Sequence, residues 1–150
     1  MKAQIDKVIA GILSFLMFVI TVVVLWGVFT RYAGAGQASW SEELARFLLI
    51  WIGVLGAAFV AGKREHLSLD LLKMNISPDK QHKLDKFISV LILFFAIAVL
   101  VVGGGQLIYL TQVLGQLSAA MRIPMSLVYS VIPLSGLLIV FYEIKFLIEK

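Results

Sequence analysis

Few side chains in this sequence are equipped for chemistry, and most of them stand in two short stretches. The first, Ser39-Trp40-Ser41-Glu42-Glu43-Leu44-Ala45-Arg46, places two adjacent carboxylates four and three residues before a guanidinium. On a helix both acids reach that arginine. The stretch therefore offers either a self-neutralising interfacial ion pair or a charged contact for a partner. The second stretch, Arg64-Glu65-His66-Leu67-Ser68-Leu69-Asp70, sets one imidazole among acids and bases. One His with Glu65 and Asp70 is a thin ligand set beside the closed four-ligand sites of structural zinc, so no metal is expected. The absence of cysteine excludes disulfide scaffolds, thiol–disulfide enzymes, iron–sulfur centres and thiolate zinc sites. A b-type haem needs histidines inside a helical bundle, and His66 and His82 both fall outside the long apolar runs. No catalytic residue and no cofactor is expected, and the chain is not read as an enzyme.

The elements that must hold these residues follow from composition. Of 150 residues, 61% are hydrophobic and 15% charged, whereas a soluble domain has about 45–50% and about 25%. Nine acids and thirteen bases cannot cover a soluble body of this length. Disorder and collagen-like repeats are excluded by the same figures. The chain reads as an all-α integral membrane protein. Its charged residues bound four uncharged runs: 23 residues from Val8 to Thr30, 16 from Phe47 to Gly62, 35 from Phe87 to Met121 and 20 from Ile123 to Tyr142. A spanning helix takes about 20 apolar residues. Four transmembrane helices are expected, over about 5–31, 40–62, 78–113 and 124–148, with a connection at 63–77, in one membrane domain over 1–150.

The second run is short and borrows its first turns from the acidic stretch, where Ser39 and Glu42 read as a capping box. The third run is long. As one helix it reaches roughly 52 Å against about 30 Å of hydrocarbon, so it is expected to tilt, leave the bilayer or break near Gly103-Gly104-Gly105. These glycines read as a packing notch or kink. Gly53, Ala57 and Ala61 recur every fourth residue, a spacing that admits a close helix, internal or foreign. Pro124 opens the fourth helix, and Pro133 is expected to kink it. The 23 residues of the first run, with no small-residue cleavage site before Arg31, do not read as a cleaved signal peptide.

Charge placement sets the orientation. Ten Lys and Arg lie at the two termini and in the connection from Lys63 to Lys86; three, Arg31, Arg46 and Arg122, lie on the other side. Basic residues stay in the cytoplasm. Both termini are therefore expected there, and the net charge of +4 reflects topology and contact with phospholipid, with no nucleic-acid partner.

Several pieces, taken in order, resemble a known family. They are W-x-E-E-x-x-R at Trp40 to Arg46, W-x-x-x-x-G-A-A at Trp51 to Ala58, R-x-H-x-x-x-D at Arg64, His66 and Asp70, and R-I-P-x-x-x-x-Y from Arg122 through Pro124 to Tyr129. This ordered set on a four-helix chain is similar to the small membrane subunit of tripartite ATP-independent periplasmic (TRAP) transporters. The resemblance implies a multi-pass protein of the bacterial inner membrane. It would serve an importer in which a periplasmic binding protein delivers an organic acid, of the C4-dicarboxylate or sialic acid type. A large membrane subunit moves the acid by a sodium-driven elevator motion, and the small subunit binds that large one and widens its fixed scaffold. On this reading Trp40, Glu42, Glu43, Arg46, Trp51, Gly53, Ala57, Arg64, His66, Asp70, Arg122, Pro124 and Tyr129 are the candidate partner-interface residues. Two other readings stay open: a membrane anchor for a different complex, and an autonomous homo-oligomeric transporter.

Overall fold

The computed structural model describes residues 2–33, 36, 38–63 and 78–148. Of the candidate residues, Arg64, His66 and Asp70 lie outside the described residues, as does the rest of 64–77. The helices are α1 (Lys2–Tyr32), α2 (Ser39–Lys63), α3 (Pro78–Phe95), a π-helical stretch (Ala96–Gly103), α4 (Gly104–Val113), α5 (Met125–Tyr129) and α6 (Val131–Ile148). Among the described residues the only β pairing is an isolated bridge between Leu117 and Pro124. Four segments are long and apolar enough to cross a bilayer: Ala3–Tyr32, Ser39–Lys63, Lys83–Val113 and Met125–Ile148. The fold is an all-α membrane protein with four transmembrane helices.

α1 packs chiefly along α2, and most of its surface is left open. Phe15, Phe18, Leu25 and Phe29 are each more than 60% exposed. A soluble protein could not carry so much contiguous apolar surface, whereas lipid solvates it, and the helix satisfies its own backbone. Tyr142 in α6 ties the far end of α1 into the bundle: its hydroxyl donates to Asp6 Oδ1 at 2.6 Å.

The core lies between α2, α6 and the π stretch and is built from small side chains. Ala58, Ala61, Ala96 and Ile139 are its buried members, with Ile92, Leu100, Leu138 and Val140 packed around them. Lipid tails are as apolar as any side chain, so close van der Waals contact rather than apolar burial has to hold these helices together. Glycines supply that closeness at three seams. A methyl on Gly62 would stand 2.8 Å from the Tyr142 ring, one on Gly104 would stand 2.9 Å from Ile132 Cγ2, and one on Gly136 would stand 2.7 Å from Leu100 Cβ.

Three local expectations are refined. The helix does not break at Gly103-Gly104-Gly105; both Gly103 (φ −63°, ψ −43°) and Gly104 (φ −63°, ψ −39°) are right-handed helical. The ladder instead widens to i→i+5 over Ala96–Gly103 and tightens again at Gly104, while Gly104 serves as the notch for Ile132 and Pro133. Pro133 has no N–H to give to the carbonyl four residues earlier. The fourth span accordingly parts at Ser130, between α5 and α6, where Leu134 N reaches Ser130 O only at 3.4 Å. Finally, Ser39 is already inside α2, and Glu42 turns to Arg46 rather than back to the helix start. Ser41 is the residue engaged at that entry: its N–H and Oγ both donate to Ala38 O, at 3.0 and 2.7 Å.

Candidate functional site

The two adjacent acids of α2 point to different neighbours. Glu42 Oε1 accepts from Arg46 Nη2 at 3.3 Å, with both side chains largely in the open. An exposed pair of this kind contributes little to stability. Helical spacing assigns Glu43 to the same arginine, and the structure corrects this. One residue further round the helix, Glu43 crosses instead to the segment between α4 and α5. Its Oε1 accepts from Ala119 N at 2.8 Å, and its Oε2 accepts from Ala120 N at 3.0 Å, Met121 N at 2.8 Å and Ser118 Oγ at 3.2 Å. Three successive backbone amides and a hydroxyl converge on one carboxylate. Charge-assisted bonds of this type are stronger than neutral ones, and consecutive N–H groups aimed at one point form a natural anion cradle.

The segment is shaped to present those amides. α4 ends at Val113, and Gly115 takes φ +59°, which only glycine adopts freely. The strand-like bridge of Leu117 to Pro124 brings the chain back on itself; Met125 N donates to Gln116 O and Ser118 N to Ile123 O, both at 2.9 Å. Ser118 is buried and works twice, because its Oγ also accepts from Ile123 N at 3.1 Å. Arg122 closes the loop at φ +53°, a left-handed conformation uncommon for a side chain of its size. A second long-range tie lies below this loop: Trp51 Nε1 donates to Val128 O at 3.0 Å, locking α2 to α5.

The candidate residues thus divide into three groups. Glu43 and Trp51 are spent on internal ties, and Pro124 sits in the bridge that closes the loop. Trp40, Glu42, Arg46 and Arg122 are exposed around it, with Tyr129 half-buried at the end of α5. Gly53 and Ala57 face outward; a methyl on Gly53 would meet nothing within 4 Å. The inward small stripe is Ala58, Ala61 and Gly62, so of the spacing singled out in the sequence only Ala61 packs internally. With Arg46, Leu49 and Val60, Gly53 and Ala57 form an open, partly small-residue ridge on α2.

Two long-range contacts and one buried acid could not be read from residue spacing. Ser118 opens the run Ser-Ala-Ala-Met before Arg122, and nothing in that run marks its hydroxyl as a donor to Glu43. The Asp6–Tyr142 bond joins residues 136 positions apart and has no local signal. Glu143 bounds the fourth uncharged run yet is only 2% exposed, and its Oε2 has no hydrogen-bond partner among the described residues. Among the described residues, no group of three or more His, Cys, Asp or Glu is arranged to hold a metal ion.

Comparison with known proteins agrees with this architecture. The family model for the DctQ component of tripartite ATP-independent periplasmic transporters matches residues 20–150. The chain is 31% identical over 131 residues to the isethionate TRAP transporter permease protein DctMQ of Oleidesulfovibrio alaskensis, a match covering 85% of this chain and 20% of that protein. It is 38% identical over 58 residues to the sialic acid TRAP transporter permease protein SiaT of Haemophilus influenzae, covering 39% of this chain and 9% of that protein. A TRAP transporter small permease protein of Haemophilus influenzae is 24% identical over 135 residues, covering 90% of this chain and 82% of its own length. The chain therefore spans a fifth or less of the first two relatives and most of the third. It belongs to the DctQ component family of tripartite ATP-independent periplasmic transporters, and is a multi-pass inner-membrane transporter component rather than an enzyme.

Proposed function

We propose that this chain is the static, cargo-free subunit of a sodium-driven importer of an organic acid, clasped to a large elevator subunit and served by a periplasmic binding protein. The observation that carries the reading is the Glu43 cradle. It spends a carboxylate and three amides on making the segment from Ser118 to Met121 stiff. An elevator works only if one part stays fixed while another slides, and a stiffened loop at the end of a small bundle suits the fixed part. The carboxylate serves this chain's own backbone and so is not offered to cargo. The names of two relatives, for isethionate and for sialic acid, support an acidic solute as cargo.

The open ridge of Arg46, Leu49, Gly53, Ala57 and Val60 suits a helix of the large subunit, because small residues let backbones approach. The segment from Arg64 through His66 to Asp70 belongs to the same seam on the family resemblance. Trp40, the Glu42–Arg46 pair, Arg122, Pro124 and Tyr129 surround the stiffened loop and form the face toward the binding protein. Ten basic residues against three keep both termini in the cytoplasm, which turns that face to the periplasm. The test is extraction of the tagged chain in mild detergent. A polytopic protein several times its mass should co-purify, and Gly53→Leu with Ala57→Leu should release it. Recovery of the chain alone from native membranes, with solute uptake intact in liposomes, would establish the autonomous transporter instead; co-purified haem would establish a redox anchor.

A further inference from the structure

We propose that the crevice between α1 and α2 at the Arg31 end is a binding site for one phospholipid with a phosphoethanolamine headgroup. The crevice has a volume of about 170 Å³. Val23, Val24 and Val28 of α1 face Ala45 of α2 along its length, and Arg31 and Glu42 stand at its mouth. From Val23 to Arg31 the wall rises about 12 Å at 1.5 Å per residue, from apolar depth to charged rim. That gradient is the profile of a lipid molecule, acyl chain below and headgroup above. A soluble solute would have no use for the valine-lined half.

The crevice is held open by a fixed pivot. Gly27 and Ser41 meet there so closely that a methyl on Gly27 would stand 2.9 Å from Ser41 Oγ. Ser41 is 2% exposed and its hydroxyl is committed to Ala38 O. This close approach fixes the spacing of α1 and α2 beside the crevice.

The rim selects the headgroup. Arg31 has no hydrogen-bond or ion-pair partner among the described residues, although it stands where three valines line the wall. Glu42 has one oxygen on Arg46 and its other oxygen available. Cβ atoms lean toward a helix's N-terminus. α1 and α2 run in opposite directions, so Arg31 leans down toward the bilayer and Glu42 leans up, and the two charges approach a common level. A guanidinium beside a carboxylate matches a headgroup that carries both a phosphate and a primary ammonium. The guanidinium takes the phosphate through paired N–H donors, and the carboxylate takes the ammonium. A choline headgroup has no N–H to give Glu42, and a glycerol headgroup offers it only neutral hydroxyls, which bond a carboxylate more weakly than an ammonium does.

Native mass spectrometry of the detergent-purified complex tests the assignment. The complex is stripped of lipid and supplied with an equal mixture of phosphatidylethanolamine, phosphatidylcholine and phosphatidylglycerol. The native chain should retain phosphatidylethanolamine in preference. Arg31→Gln should lower that retention about fivefold, the scale of one basic side chain at a lipid surface. Glu42→Gln should abolish the preference over phosphatidylcholine while leaving some lipid bound. Val24→Trp, which fills the apolar half without touching the rim, should displace the lipid with both charges intact. Equal retention of the three lipids by the native complex, preference for phosphatidylglycerol, or retention unchanged in any of the three variants overturns the site.

Discussion

Gly136 provides the sharpest test of how this bundle is held. It lies in α6 against the π stretch, and a methyl there would stand 2.7 Å from Leu100 Cβ, 3.0 Å from Val101 Cγ2 and 3.2 Å from Val101 N. Two of those atoms are backbone or fixed to it, so no rotamer change relieves the contact and the helices must separate. Replacing a helix-interior glycine by alanine favours the helix by about 1 kcal/mol, while overpacking costs about 1–3 kcal/mol. Gly105→Ala is the matched control, because its methyl would meet nothing within 4 Å and only the propensity gain remains. The propensity terms cancel between the two variants, so Gly136→Ala should be less stable than Gly105→Ala by about 1–3 kcal/mol. Equilibrium unfolding of each variant in mixed micelles with increasing sodium dodecyl sulfate, followed by helical ellipticity, measures the difference. Equal stability, or a more stable Gly136→Ala, would refute glycine-mediated closeness as the force between these helices.

Other outcomes bear on the loop, the tie below it and the orientation. Glu43→Gln should speed hydrogen exchange at the amides of Ala119, Ala120 and Met121, and Glu43→Lys should do so further while lowering solute uptake without removing the protein from the membrane. Unchanged exchange would mean the cradle does not stiffen the loop. Trp51→Phe keeps most of the ring and loses the bond to Val128 O, so it should cost about 0.6 and at most about 1.7 kcal/mol in the same unfolding assay; a larger loss would point to packing instead. The natural chain has no cysteine, which makes labelling direct. Gln116→Cys should react with an impermeant maleimide in intact cells, and Lys83→Cys only after permeabilisation; the reverse pattern would invert the orientation.

The four spans were legible because a bilayer imposes length and excludes charge; charge spacing locates each span, although Ser39–Lys63 starts well before its uncharged run and Lys83–Val113 ends well before the close of its own. Which side of each span faces inward was not legible. A soluble helix advertises its inner face by contrast with a polar one, but both faces of α2 are apolar. Gly53 and Ala57 read as readily inward as Ala58 and Ala61, and only the packing separates them. The acidic pair failed for a related reason. Arg46 is the nearest cation along the chain, so helical spacing assigns it to both acids, and it cannot foresee a cradle of backbone amides 76 to 78 residues away from Glu43. Backbone donors leave no trace in residue identity. Their one local sign was the small trio Ser118-Ala119-Ala120 between Gly115 and Pro124, which permits a tight loop without revealing what the loop encloses.

The wide turn in the third span has a consequence for chain length. Ala96 packs against the Ile139 cluster and Gly104 against Ile132 and Pro133, so both ends of the π stretch face α6 although eight positions separate them. On a straight α-helix, positions seven apart coincide to within about 20°. The third span therefore carries one surplus residue, absorbed by the i→i+5 ladder. A chain shortened by one position between Ile97 and Val102 could bring both contacts to α6 on an unbroken α-helix, whereas the same deletion in Phe87–Phe95 would rotate everything before it out of register. Relatives or variants that lose a residue in this window should keep their bundle intact.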